Sequence, residues 1–208
     1  MTDFSLIETL RFEPESGFVR LRLHLARLTR SARRLGFAGA GAAEGHLKEA
    51  VCGAEGPLRV RLTLDRHGAI AVATAPFTPL PDDTVWRARI AATRLDSSNR
   101  LLRVKTTRRE LFEAARSEFS VAEADEVILL NEKGEVCEGT ITSVFLDDGS
   151  GILKTPPIAC GLLAGVLRTE LVCQRRARAS RLSPADLESG RLYLGNSLRG
   201  LIRAKLVV

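Results

Sequence analysis

Long apolar runs, aromatic residues, sulfur and histidine are all scarce in this 208-residue chain, and each shortage removes a class of protein. No stretch approaches the ~20 apolar residues that a membrane-spanning helix needs. The start, Met1-Thr2-Asp3-Phe4, has no basic region followed by an apolar run, so a cytoplasmic location is expected. The four cysteines, Cys52, Cys137, Cys160 and Cys173, have no short pairwise spacing, which argues against a zinc site and a disulfide framework. They are expected to act as small buried apolar residues. His24, His46 and His67 are not spaced as metal ligands, and His24 reads as a structural residue on a helix face. Tyr193 is the sole tyrosine.

What remains is 45% apolar and 27% charged, enough for one substantial core or two small ones. The net charge of +6 is carried mostly by arginines spread along the chain, which fits anionic ligands or solvated arginine faces. Nucleic acid is not the expected partner.

Ser5 to Phe12 and Phe18 to Leu25 alternate in polarity around Pro14, Ser16 and Gly17, which predicts a hairpin. Leu25, Leu28, Ala32 and Leu35 then recur at helical spacing, with Gly36 as a left-handed cap. A second helix is expected over Glu44 to Cys52. A second hairpin runs from Leu58 to Thr74 around Asp65-Arg66-His67-Gly68. The proline-rich piece from Pro76 to Pro81, followed by Asp82-Asp83, reads as a linker. The expected organisation is a smaller N-terminal domain over 1–79, a linker over 80–88 and a larger domain over 89–208.

In the larger domain, Val85 to Ala92 reads as a strand, and Thr107-x-x-Glu110 as a capping box that starts a helix and puts Lys105 at its mouth. Glu126 to Asn131 and Glu135 to Cys137 form a hairpin about Lys133-Gly134, and Thr140 to Leu146 is a further strand. Ser183-Pro184-Ala185-Asp186 starts a helix that Gly190 closes, and Arg191 to Leu194 and Leu201 to Val208 are final strands. Hairpins mixed with separate helices predict an α+β fold with mainly antiparallel sheets.

Three pieces carry candidate chemistry. Lys105 is either a solvated charge or a Schiff-base lysine, whose neutral form apolar Leu101, Leu102 and Val104 and nearby arginines would favour. Glu138 is either an exposed turn acid or a buried carboxylate that needs a cationic partner. Gly165 before Val166-Leu167 is either an ordinary cap or an opening through which helix N–H groups meet a phosphate.

With these residues the chain resembles the class IV, fold-type IV pyridoxal-phosphate enzymes, which include branched-chain and D-amino-acid transaminases and aminodeoxychorismate lyase. The likeness spans nearly the whole chain and rests on Glu8-Thr9-Leu10-Arg11, His24-Leu25-Ala26-Arg27-Leu28, Lys105-Thr106-Thr107, Glu138-Gly139-Thr140 and Gly161 to Arg168, in that order. It implies pyridoxal 5'-phosphate held by Lys105 as a Schiff base, with Glu138 against the ring nitrogen. It also implies Arg27, the backbone of Val166 and Leu167, and Ser197 around the phosphate. From spacing alone, Arg27 would be a surface arginine and Ser197 a turn hydroxyl.

Where the family commonly has an asparagine five residues after the acid, this chain has Ser143. Thr9 and Arg11 match a pair that flanks the substrate in the lyases, with Thr9 catalytic and Arg11 substrate-binding; otherwise they are ordinary strand residues. The lone Tyr193 weighs against a branched-chain transaminase. The resemblance therefore implies 4-amino-4-deoxychorismate as a small-molecule substrate, a homodimer, and work beside an aminodeoxychorismate synthase. A class IV aminotransferase and a non-enzymatic basic scaffold are the competing expectations.

Overall fold

Alternating polarity organises the first part of the chain, as the computed structural model shows for its described residues, 4–207. The start Met1-Thr2-Asp3 and the Val208 end of the last expected strand lie outside them. Strand β1, Leu6–Glu13, turns through the short β2, Gly17–Phe18, into helix α1, Leu21–Leu35. Helix α2, Ala43–Ala50, leads to the hairpin of β3, Leu58–Leu64, and β4, Ile70–Pro76. Their sheet is antiparallel throughout, in the order β2-β1-β3-β4.

Period two decides which side chains enter the core. Leu6 and Leu10 of β1, and Val60, Leu62 and Leu64 of β3, pack with Leu28 and Ala32 of α1 and Leu47 of α2. Glu8 falls on that same inward face, between Leu6 and Leu10, and is 3% exposed. Thr9 and Arg11 point the other way and lie opposite Arg61 and Arg59. Helix α1 ends where expected: Gly36 takes φ 70° and its N–H bonds the Ala32 carbonyl.

One later stretch belongs to this first unit, which comprises the chain up to Pro79 together with Val104–Arg108. Thr106 bridges Leu6, the Ile7 N–H donates to the Lys105 carbonyl at 2.9 Å, and the Thr107 N–H donates to the Ser5 carbonyl at 2.9 Å. This pairing corrects the expected capping box. The Thr107 hydroxyl accepts from the Ser5 N–H at 3.0 Å and does not cap the helix. Helix α3 runs over Glu110–Ser117 instead, with Arg109 at its N-cap and no side chain capping it. Lys105 thus lies on an extended segment beside β1, not at a helix mouth.

The second unit comprises Leu80–Arg103 and the chain from Arg109 onward. Its strands are β5, Val85–Leu95; β6, Glu126–Asn131; β7, Val136–Gly139; β8, Ser143–Asp147; and β9, Leu153–Thr155. Helix α4, Val166–Cys173, β10, Ala177–Ala179, helix α5, Pro184–Ser189, β11, Arg191–Asn196, and β12, Gly200–Leu206, complete it. The sheet order is β10-β9-β8-β11-β12-β5-β6-β7, and β7 also pairs with β8.

The fold class is α+β, but the second sheet is mixed: β5 runs parallel to both β6 and β12, and β9 to β10. Val85 to Ala88, read both as the end of the linker and as the start of a strand, are strand residues paired with β12. Both sheet faces are covered, which explains why β6 is buried at every position. The α5 capping box is present as read, with Ser183 and Asp186 exchanging hydrogen bonds. Cys137 and Cys160 are buried as expected, whereas Cys52 and Cys173 are exposed, and all four are free. Among the described residues no helix is long and apolar enough to cross a membrane.

Leu10 is fully buried at the centre of the first unit's core. Leu10→Ala should lower stability by about 2–5 kcal/mol through lost burial and the cavity left behind, read as a lower urea midpoint with an unchanged slope.

Candidate active site

In the second unit, a row of residues crosses the sheet. Glu138 pairs with Ser143, and Ser143 pairs with Gly195, so β7, β8 and β11 present these three positions side by side. The segment entering α4 lies over the row. The Leu163 N–H donates to Glu138 at 3.1 Å, a Cβ on Gly165 would stand 2.6 Å from the Ser143 hydroxyl, and one on Gly195 would stand 2.8 Å from Leu167. Glycine at 165 and 195 is therefore a condition of this packing. No side chain caps α4, which leaves its N-terminal dipole facing Ser143.

Glu138 is 6% exposed, so the buried-carboxylate alternative holds. Arg168, also buried, lies within electrostatic reach: burial pushes its guanidinium below the ordinary value, and Glu138 pulls it back. Its Nη2 donates to the Pro156 carbonyl at 2.8 Å. Ser197 is buried in a turn held by Asn196, whose Oδ1 accepts from the Leu198 and Arg199 N–H groups at 3.1 and 2.9 Å. The same Asn196 side chain donates to the Ile141 carbonyl at 3.2 Å, tying the turn to the loop that follows Glu138.

That loop is organised by a residue to which the sequence assigns no role. Glu126, 1% exposed, accepts from the Thr140 N–H at 3.0 Å, the Ile141 N–H at 3.1 Å and the Thr142 hydroxyl at 2.9 Å, as well as from the Thr140 hydroxyl. Neutral donors thus satisfy a carboxylate that would otherwise be costly to bury. The available signal was an acid opening the apolar run of β6, but its partners lie 14 to 16 residues away.

In the first unit, Glu8 joins Arg27 and His24. Arg27 donates from Nε at 2.9 Å and from Nη2 at 2.6 Å, and His24 donates from Nδ1 at 2.6 Å. Helical spacing puts His24 and Arg27 on one face of α1, above the inward face of β1. Burial alone would raise the Glu8 carboxyl, but the Arg27 charge and the hydrogen bonds from Arg27 and His24 together pull it down to about 2. Burial lowers His24 below its ordinary 6.5 despite the pull of Glu8, and the charges of Arg27 and Lys105 act in the same direction. His24 is therefore part of a polar cluster, not simply a packed helix residue.

Lys105 is partly buried on its extended segment in the same unit. Arg11 pairs with Glu13, and its guanidinium lies 5.0 Å from the Phe77 ring centre. The first unit thus groups Thr9, Arg11, Arg27 and Lys105, and the second groups Glu138, Val166, Leu167 and Ser197.

A family model described as amino-transferase class IV matches residues 5–207. The chain belongs to that family. Its members use pyridoxal phosphate, and the class IV chain is accordingly an enzyme, which displaces the scaffold expectation. It is 53% identical to a Mesorhizobium loti protein whose crystal structure is provisionally named an amino-acid aminotransferase, with TM-score 0.96 over 99% of this chain and all of that one. A Schizosaccharomyces pombe protein provisionally named an aminodeoxychorismate lyase is 29% identical over all of this chain and 92% of its own. The 4-amino-4-deoxychorismate lyase of Pseudomonas aeruginosa is 25% identical, with TM-score 0.81 over 97% of this chain and 82% of that one.

The donor set of this class IV chain fits the cofactor's chemistry. A helix N-terminus without a side-chain cap and two buried hydroxyls, Ser143 and Ser197, suit a phosphate. A buried carboxylate suits a protonated ring nitrogen, and a lysine amine suits an aldehyde.

Two outcomes follow from the two buried carboxylates. A Cβ at 139 would lie 2.3 Å from the Thr142 hydroxyl and 2.9 Å from the Glu126 carboxylate. Gly139→Ala should therefore cost about 1–3 kcal/mol in chemical unfolding and weaken cofactor binding. For Glu8, the folded-state value lies below the ordinary 4.5, so its stabilisation is complete above that value and fades as pH falls toward about 2. The stability gap between wild type and Glu8→Gln should narrow over that window in acid unfolding series.

Proposed function

We propose that this enzyme converts 4-amino-4-deoxychorismate to 4-aminobenzoate and pyruvate. The observation that carries the reading is the outer face of the first unit's sheet, where Thr9 lies opposite Arg61 and Arg11 opposite Arg59. Three arginines on the same sheet face as one hydroxyl suit a substrate with two carboxylates, because each planar fork can meet a pair of oxygens. The names of the yeast and Pseudomonas relatives point the same way.

When bound, pyridoxal phosphate supplies an aldehyde for the substrate amine and a ring that accepts an electron pair. Lys105 would hold the cofactor through its amine, and that amine would take the proton from the substrate's amine-bearing carbon. Glu138 keeps the ring nitrogen charged. Arg27, the amides of Val166 and Leu167, and the Ser197 hydroxyl are the groups that would hold the phosphate. Arg11, with Arg59 and Arg61, orients the substrate carboxylates, and the Thr9 hydroxyl protonates the departing enolpyruvate. Loss of that group leaves an aromatic ring, so the elimination is strongly downhill. A homodimer and work beside an aminodeoxychorismate synthase belong to the same reading.

The second reading is an aminotransferase acting on small or branched-chain L- or D-amino acids, supported by the name of the 53% identical protein. The two readings separate in one assay of pure protein given aminodeoxychorismate and, in parallel, amino acids with 2-oxo acids. The lyase should release 4-aminobenzoate. Arg11→Ala should raise KM roughly tenfold to a hundredfold, and Thr9→Val should lower kcat by roughly a hundredfold. Useful amino transfer with no 4-aminobenzoate would replace the lyase with the aminotransferase.

A further inference from the structure

We infer that Glu8 is a positioning residue that fixes the plane of the Arg27 guanidinium and so sets the enzyme's preference for a phosphorylated cofactor over the unphosphorylated aldehyde. The inference rests on the reading of Arg27 as a phosphate ligand. Its basis is the geometry of the buried cluster: Glu8 Oε1 takes Arg27 Nε at 2.9 Å, and Oε2 takes both Arg27 Nη2 at 2.6 Å and His24 Nδ1 at 2.6 Å. Two contacts along one edge of a rigid planar group leave it no rotation about its own stem.

Glu8 is itself immobile. It is 3% exposed on β1, inside an antiparallel ladder between Leu6 and Leu10, and His24 holds the oxygen shared with Nη2. The Arg27 side chain is 12% exposed, so contacts within the protein hold a long, flexible residue in one orientation.

The charge of Glu8 works against this role. A carboxylate beside Arg27 offsets part of the attraction that a guanidinium exerts on an anion, so Glu8 is a poor choice if charge alone mattered. Orientation and charge therefore predict opposite signs when Glu8 is neutralised. If positioning dominates, Glu8→Gln lowers phosphate affinity; if charge dominates, it raises it.

The test is equilibrium titration of cofactor-stripped full-length protein with pyridoxal 5'-phosphate and, separately, pyridoxal, followed by quenching of Trp86 fluorescence. The quantity of interest is the ratio of the two affinities. Wild type should prefer the phosphorylated form, and Arg27→Met should cut that preference at least tenfold. Glu8→Gln should cut it at least tenfold too, while pyridoxal affinity changes less than threefold. A variant that merely loosens the fold would weaken both ligands alike and leave the ratio intact. Glu8→Asp, which keeps the charge but shortens the reach, serves if Glu8→Gln does not fold, and it should also lower the ratio. An unchanged or increased ratio in the Glu8 variants, beside a lowered one in Arg27→Met, would overturn the positioning role. A ratio unchanged in Arg27→Met would overturn the reading of Arg27 itself.

Discussion

Glu126 sets the form of the candidate site in the second unit. A carboxylate removed from water is tolerable only if its lone pairs are filled, and here two amides and two hydroxyls of one short loop, Thr140 to Thr142, do so together with the Val127 N–H. The loop cannot relax without leaving that charge unsatisfied. Because only Gly139 separates it from Glu138 and it ends directly before Ser143, the same hydrogen bonds hold the two residues that pair across β7 and β8. Gly139 completes the constraint, since any Cβ there would enter the space of Thr142 and Glu126. The sequence Glu-Gly-Thr-Ile-Thr-Ser is thus one acid, the glycine that lets the chain approach a second acid, and the donors that satisfy the second acid.

The first unit solves the same problem differently. Glu8 is also buried, but two of its three hydrogen bonds come from a guanidinium and the third from an imidazole that burial keeps from charging readily. An ion pair of this kind contributes less through its attraction than it would cost to break, because either partner left alone would be an uncompensated charge in a low-dielectric setting. Its value lies in definition of geometry. Glu126 fixes backbone, and Glu8 fixes a side chain.

Much of the fold was legible because period and punctuation are local. Leu58 to Leu64 alternates clearly and Ser5 to Phe12 loosely, the Asp65 to Gly68 turn leads into Ile70 to Thr74, Gly36 and Ser183 mark a helix end and a helix start, and Gly165 marks the entrance to α4. One local reading failed, since Phe18 to Leu25 alternates as a strand but only Gly17–Phe18 is one and helix α1 starts at Leu21; the other failures were non-local. Thr107 has the spacing of a helix cap, but pairing of its segment with β1 gives its hydroxyl to Ser5 instead, a tertiary demand that overrides local preference. Parallel pairing of β5 with β6 and β12 leaves no mark in a run that is buried on both faces. For the site, the motifs supplied Lys105, Glu138 and the Gly165 helix start. Glu126, Arg168 and Asn196 went unread, because their partners lie on other elements that spacing cannot bring together.

The choice between elimination and amino transfer lies outside these anchoring residues. A lysine, an acid at the ring nitrogen and a phosphate cup are common to both chemistries, so neither the fold nor the cofactor contacts can select one. Selection has to come from groups that meet the substrate's other substituents. An amino acid with an apolar side chain asks for an apolar wall, and three guanidinium groups with a hydroxyl would be desolvated at a loss against it. A ring bearing two carboxylates repays that desolvation with charge-assisted hydrogen bonds. The arginines at 11, 59 and 61 follow from period two on paired strands: the positions that leave the core face outward together, so a single register supplies both the buried leucines and the charged face. On the proposed lyase reading, substrate preference would be tied to the same alternation that folds the first sheet, and a one-residue slip in that register would lose both at once.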